Sequence, residues 1–150
     1  MVMKIEKFLD ASVVFNLFIA HDEVIGDIQS RLASDGLHLL EALIITGLFF
    51  EERQMRPSEL ATTFRASRSN MSHALRGLEK KGLIERKTSS EDARAYFFNL
   101  TKDGKKQAAK LIKVFDATQD HFDKAFVSKK INQSLRAFRK VYETVRYPKN

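Results

Sequence analysis

Apolar residues recur at spacings of three, four and seven from Ile5 to Leu32, through Phe8, Phe15, Phe18, Ile25 and Ile28, with Ser12 on the same register. That spacing marks one face of an α-helix, and it predicts a single helix over residues 5–34, stopped by Asp35-Gly36. Residues 37–50 are apolar nearly all round, with Glu41 the one charge, as in a helix at the centre of a core. Residues 51–56 read as a polar connector. Pro57 suits the first turn of a helix, where a missing N–H costs nothing. Glu59 suits the positive end of that helix, and Leu60, Ala61 and Phe64 form its apolar side over residues 57–64. Arg65-Ala66 is a tight turn. Ser67 is an N-cap for a helix that runs to about residue 81, with Gly82 as its C-terminal stop. Residues 83–87 and 95–100 read as short strands, the second rich in strand-favouring aromatics, with a polar hairpin loop between them. Thr101 caps a helix over 101–126, with Leu111, Phe115, Phe122 and Phe126 on its apolar side. A last helix, residues 128–146, carries Ile131, Leu135, Phe138, Val141, Tyr142 and Val145.

The order from 57 to 100 is helix, tight turn, helix, strand, loop, strand. This is a helix-turn-helix followed by a wing. The predicted fold is therefore mainly α with a small β-hairpin wing: an N-terminal dimerisation helix (1–36), a winged helix-turn-helix domain (37–100) and C-terminal dimerisation helices (101–150). On a wheel, the helix after Ser67 turns Met71, Leu75 and Leu78 to one side and Ser69, Asn70, His73, Arg76 and Lys80 to the other. The polar side donates hydrogen bonds and holds no carboxylate, as the edges of bases in a major groove require. Gly77 falls toward that outer side, either for close approach to a nucleic-acid backbone or as an indifferent surface glycine.

Charge sharpens the picture. Lys and Arg number 26 against 19 Asp and Glu, a formal net of +7, which is compatible with a polyanionic partner. Residues 1–50 hold three basic and seven acidic groups, residues 101–150 thirteen and five, so the two ends are complementary if they pack together. Cysteine is absent, which excludes disulfides, thiolate metal sites and thiol redox chemistry. No apolar run reaches the roughly 18 residues of a membrane span, and no leader pattern opens the chain; a cytoplasmic location is expected. The four histidines, 21, 38, 73 and 121, are scattered and form no paired metal spacing, and no glycine-rich phosphate loop occurs. Neither catalysis nor a metal or other cofactor is expected.

The stretches Ser58-Glu-Leu-Ala61, Ser67-Arg-Ser-Asn-Met-Ser72, Leu78-Glu-Lys-Lys-Gly-Leu-Ile-Glu-Arg86, Asp92-Ala-Arg94 and Asn99-Leu-Thr-Lys-Asp-Gly104 resemble the MarR family of bacterial regulators. Asp92, Arg94, Leu100, Thr101 and Gly104 match its wing pattern, Asp-x-Arg followed by Leu-Thr-x-x-Gly. The resemblance implies a homodimer joined through its terminal helices, with two winged domains on adjacent grooves of double-stranded DNA. It implies that Arg94 enters the minor groove, that Asp92 orients the wing, and that residues from Arg68 through Arg76 lie in the major groove. The chain departs from the pattern at Ala93, where many wings are basic, at Glu91, which adds an acid to the tip, and at Arg56, where a Ser or Thr usually caps. Arg86 and Lys87 at the base of the wing are read as phosphate contacts.

The expected DNA-binding set is thus Arg68, Ser69, Asn70, His73, Arg76, Lys80, Arg86, Lys87, Asp92 and Arg94, on an inverted-repeat operator. A winged-helix module used only for protein contact is the rival reading. The resemblance further implies a small anionic or phenolic effector held between the dimer helices and the winged domain. His21, expected on the inward face of the first helix, and His38, at the start of the second, are its polar candidates; each reads also as a satisfied core or interface histidine.

Overall fold

The computed structural model describes residues 4–88, 96–125 and 128–146. Seven helices and one hairpin follow in order: α1 Lys4–Ala11, α2 Val13–Leu32, α3 Leu39–Glu51, α4 Pro57–Thr63, α5 Arg68–Lys80, β1 Ile84–Thr88, β2 Tyr96–Leu100, α6 Lys102–Ala125 and α7 Ser128–Arg146. The described chain falls into two compact units, Met1–Val114 and Phe115–Asn150, with the boundary inside α6.

The expected single N-terminal helix is two. Ser12 leaves the helical region (φ −85°, ψ 109°) and its Oγ accepts from Phe15 N–H at 3.2 Å, so it is the N-cap of α2. Asn16 Nδ2 donates back to the carbonyls of Leu9, Asp10 and Ser12 at 3.0–3.3 Å, satisfying the end of α1. A serine on the apolar register conceals such a break, because periodicity alone does not distinguish a cap from a face.

The core lies in the first unit. Its centre is α3, with Ala42, Ile44, Ile45 and Leu48 buried, as its all-round apolar sequence predicts. Leu60 of α4, Met71, Ala74, Leu75 and Leu78 of α5, Ile84 and Phe98 of the hairpin, and Ala108 and Leu111 of α6 complete it. Among the described residues, Met55 is also buried, although the sequence assigns it to a polar connector. Met55 instead pairs with β2: its N–H donates to Phe98 carbonyl at 3.2 Å and its carbonyl accepts from Phe98 N–H at 2.9 Å. The strands are antiparallel, Ile84 opposite Leu100 through Thr88 opposite Tyr96, one residue shifted from the expected starts.

Several local signals act as read. Ser67 Oγ accepts from Asn70 N–H at 3.1 Å and caps α5. At the other end Gly82 is left-handed (φ 68°), Gly82 N–H bonds Glu79 carbonyl at 2.9 Å and Leu83 N–H bonds Leu78 carbonyl at 3.0 Å, a Schellman stop. Thr101 Oγ accepts from Gly104 N–H at 3.0 Å and donates to Gly82 carbonyl at 2.7 Å. Phe122 and Phe126, expected on the apolar side of α6, and Tyr142 and Val145 of α7 lie outside the described side chains.

Candidate nucleic-acid interface

The turn between α4 and α5 is short because Arg65 adopts a left-handed backbone (φ 51°), which lets α5 leave at once toward the surface. Met71, Ala74, Leu75 and Leu78 bury one side of α5. The exposed positions of α5 are Arg68, Ser69, Asn70, Ser72, His73, Arg76 and Lys80. All six residues expected on this helix therefore share the solvent side. Glu79, the one acid of the helix, is half-buried beside them. The face offers guanidinium, amide, hydroxyl and imidazole groups and no exposed carboxylate, the inventory that meets base edges and phosphate oxygens.

Arg86 and Lys87 stand exposed on β1, and the structure treats them differently. The Arg86 guanidinium lies 3.8 Å from the centre of the Tyr96 ring, and Tyr96 packs edge-on against Phe98 at 5.8 Å. Stacking in this way holds the guanidinium in place. Lys87 Nζ is 3.1 Å from Glu85 Oε1, so part of the charge expected for phosphate is shared with an acid on the same strand, weakly because both are exposed. Sequence reasoning missed Arg56, whose guanidinium sits 5.1 Å over the ring of Phe97; no spacing rule links residues 41 positions apart. Asp92 and Arg94, the expected wing tip, lie outside the described residues.

Before α4, Glu59 ties the connector down. Its Oε2 accepts from Arg56 N–H at 2.7 Å and its Oε1 from Arg53 at 3.0 Å. The backbone bond from Arg56 is the main reason its carboxyl is held below the usual range; partial burial opposes this, and Arg53 assists it.

Two expectations change. Gly77 does not face the outer side: a Cβ there would come 2.5 Å from Glu41 Oε1 of α3, so the glycine makes room for the core helix. His21 is exposed on α2 instead of inward. His38 is exposed as well, and its N–H donates to Glu41 Oε2 at 2.9 Å. A cavity of about 590 Å³ lies at the end of α3, lined by Leu48, Phe49, Arg53, Glu85, Lys87 and Lys105 among others; neither histidine borders it. Among the described residues no three His, Asp or Glu converge as a metal set, and no single helix is long and apolar enough to cross a membrane.

Residues 49–96 match the model of the MarR family. Transcriptional repressor MprA of Escherichia coli (strain K12) is 33% identical over 85 residues, covering 51% of this chain and 48% of MprA; the chain spans about half the length of the curated relatives it matches. Among solved structures, S. aureus MepR in complex with DNA superposes with a TM-score of 0.80 at 17% identity, covering 89% of this chain and 98% of MepR. CouR from Rhodococcus jostii RHA1 bound to p-coumaroyl-CoA gives 0.73 at 20% identity, covering 95% and 96%. At these identities the likeness establishes the fold.

Proposed function

We propose that this chain, whose residues 49–96 match the model of the MarR family, is a DNA-binding transcription regulator of that kind acting as a homodimer. The observation that carries the reading is the face of α5: Arg68, Ser69, Asn70, His73, Arg76 and Lys80 exposed together without an exposed acid. Arg86, stacked on Tyr96, and Lys87 supply phosphate contacts at the wing base. Asp92 and Arg94 are assigned to the wing from sequence alone. The reading is of a binding protein and not an enzyme, at work in the cytoplasm where its DNA is.

The dimer is supported by what the first helices fail to bury. Within the chain α1 buries no residue and α2 buries Leu32 alone, while Phe8 and Phe18 are 65% and 60% exposed. On α7, Ile131, Leu135 and Val141 are exposed too. A second copy covers such rows in a C2 arrangement. The operator is then an inverted repeat with half-sites about one helical turn, roughly 34–36 Å, apart. A small anionic or phenolic effector belongs to the same reading; CouR, with its bound p-coumaroyl-CoA, supports a ligand of this kind in this fold.

Duplexes selected from a random pool by the purified protein test the proposal. Arg76→Ala is expected to weaken the selected duplex by about 1–3 kcal/mol more than a random one, and log K is expected to fall linearly with log salt. Equal loss on both duplexes reassigns Arg76 to phosphate. Retention of no duplex at low salt overturns the function in favour of a protein-contact module.

A further inference from the structure

The exposed face of α5 is read only if the helix is held at one rotation about its own axis, and an ion pair with a buried carboxylate and a half-exposed ammonium stands where that rotation is set. Glu41, in the first turn of α3, is 4% exposed. Its Oε2 accepts from Lys81 Nζ at 2.6 Å and from His38 N–H at 2.9 Å. The same ammonium donates to the Gly36 carbonyl at 2.7 Å. Lys81 is the C-cap of α5. The other carboxylate oxygen, Oε1, occupies the space beside Gly77, one turn earlier, where a Cβ would come within 2.5 Å.

Apolar packing of Met71, Leu75 and Leu78 holds α5 on the core, yet the hydrophobic effect itself is non-directional. A buried carboxylate must keep its partners, because a buried charge that loses its counter-charge is strongly destabilising, and short charge-assisted bonds are directional. Here the carboxylate is pinned from two sides, by the first turn of α3 and by the end of α5. Arg76 and Lys80, on the exposed face, adjoin Gly77 and Lys81 in sequence. A side chain at 77 would have to push the pinned carboxylate away or turn the helix, and turning the helix carries Arg76 with it.

We propose that Glu41, Gly77 and Lys81 are positioning residues for DNA reading: they set the rotation of α5 against α3 and thereby which of its side chains meet the base edges. This rests on α5 being the DNA-reading helix. The charge of Lys81 is committed to Glu41 and the turn before α3, so its role is separate from phosphate binding.

The test uses the full chain and a duplex that the wild-type protein selects from a random pool, measured against a random duplex at the same salt. Lys81→Met and Gly77→Ala are expected to lower the selected-to-random affinity ratio about tenfold, the equivalent of one base contact, with random-duplex affinity changed less than about threefold. The double variant Glu41→Asp/Gly77→Ala draws the carboxylate back by one methylene and is expected to recover most of the ratio lost in Gly77→Ala. Lys110→Met, a charge removed from exposed α6, controls for net charge and leaves the ratio unchanged. Should Gly77→Ala fail to fold, the isosteric Glu41→Gln supplies the same readout. A lower melting temperature with an unchanged ratio in the folded variants overturns the positioning role, since a merely structural node would do that; so does a double variant that recovers nothing. Failure of the wild-type protein to prefer any duplex is seen before a variant is made and removes the DNA-reading premise itself.

Discussion

Thr101 and Gly104 show how much one turn can depend on two residues. Thr101 Oγ caps α6 through Gly104 N–H and returns its own proton to Gly82 carbonyl, while Thr101 N–H bonds Leu83 carbonyl at 3.1 Å. A Cβ on Gly104 would overlap that Leu83 carbonyl oxygen. Thr101→Val is expected to cost about 1–2 kcal/mol, the worth of a cap, and Gly104→Ala about 2–3 kcal/mol, as backbone must move; urea denaturation reads both. The cap was legible in the sequence, because Thr before a helical pattern is a local signal. The reason for glycine was not, because the atom it avoids lies 21 residues earlier. Gly47 hides its reason in the same way, with a ring carbon of Phe64 2.7 Å from where its Cβ would be. Glu59 carries a pH signature. Its folded carboxyl titrates below its ordinary value, chiefly through Arg56 N–H, so its stabilisation is complete above the unfolded value of about 4.3 and is lost as pH falls through the folded value. The stability gap between wild type and Glu59→Gln is expected to be constant from about pH 6 to 8 and to shrink as pH falls below about 4.3. A gap that widened on acidification would refute the assignment.

Among the elements, those with a period of 3.6 and a cap were readable, and α5 is the clearest: Ser67, four buried apolar positions and Gly82 all act as their types imply. The exposed polar side chains of α5 followed from the same wheel, which erred only at Gly77, so the part of the candidate site on this helix was legible in the sequence. Met55 was not. One residue has no periodicity, and its neighbours Gln54 and Arg56 are polar; only the unpaired edge of β2 calls it into the sheet. Met55→Ala is expected to cost about 2–4 kcal/mol, the range for a buried Met, although its surroundings in sequence look like a loop. A loss under about 1 kcal/mol would show that the bridge contributes little. Amide exchange gives a second view, with Phe98 N–H expected among the slowest in the hairpin because its bond to Met55 lies in the core.

For the molecule as a whole, the net charge of +7 and the order of its elements pointed to a DNA partner, but neither says how the chain covers its first helices. That follows from burial. A 20-residue helix that buries one leucine and half-buries Phe15, Leu17, Val24, Ile25 and Ile28, preceded by an 8-residue helix that buries nothing, draws only part of its stability from the chain's own core. If the chain dimerises as proposed, association adds to the free energy that orders residues 4–32, and mass action applies to it. The melting temperature is expected to rise with protein concentration, and the helical signal of these residues to fade on dilution while that of α3 and α5 persists. Phe18→Asp is expected to abolish the concentration dependence and leave the winged segment folded; a melting point indifferent to dilution in the wild type would remove the premise. The number of ordered N-terminal helices is in that case a function of how many copies the cell keeps, so a low-abundance regulator of this design holds its reading heads in register only when its own supply is sufficient.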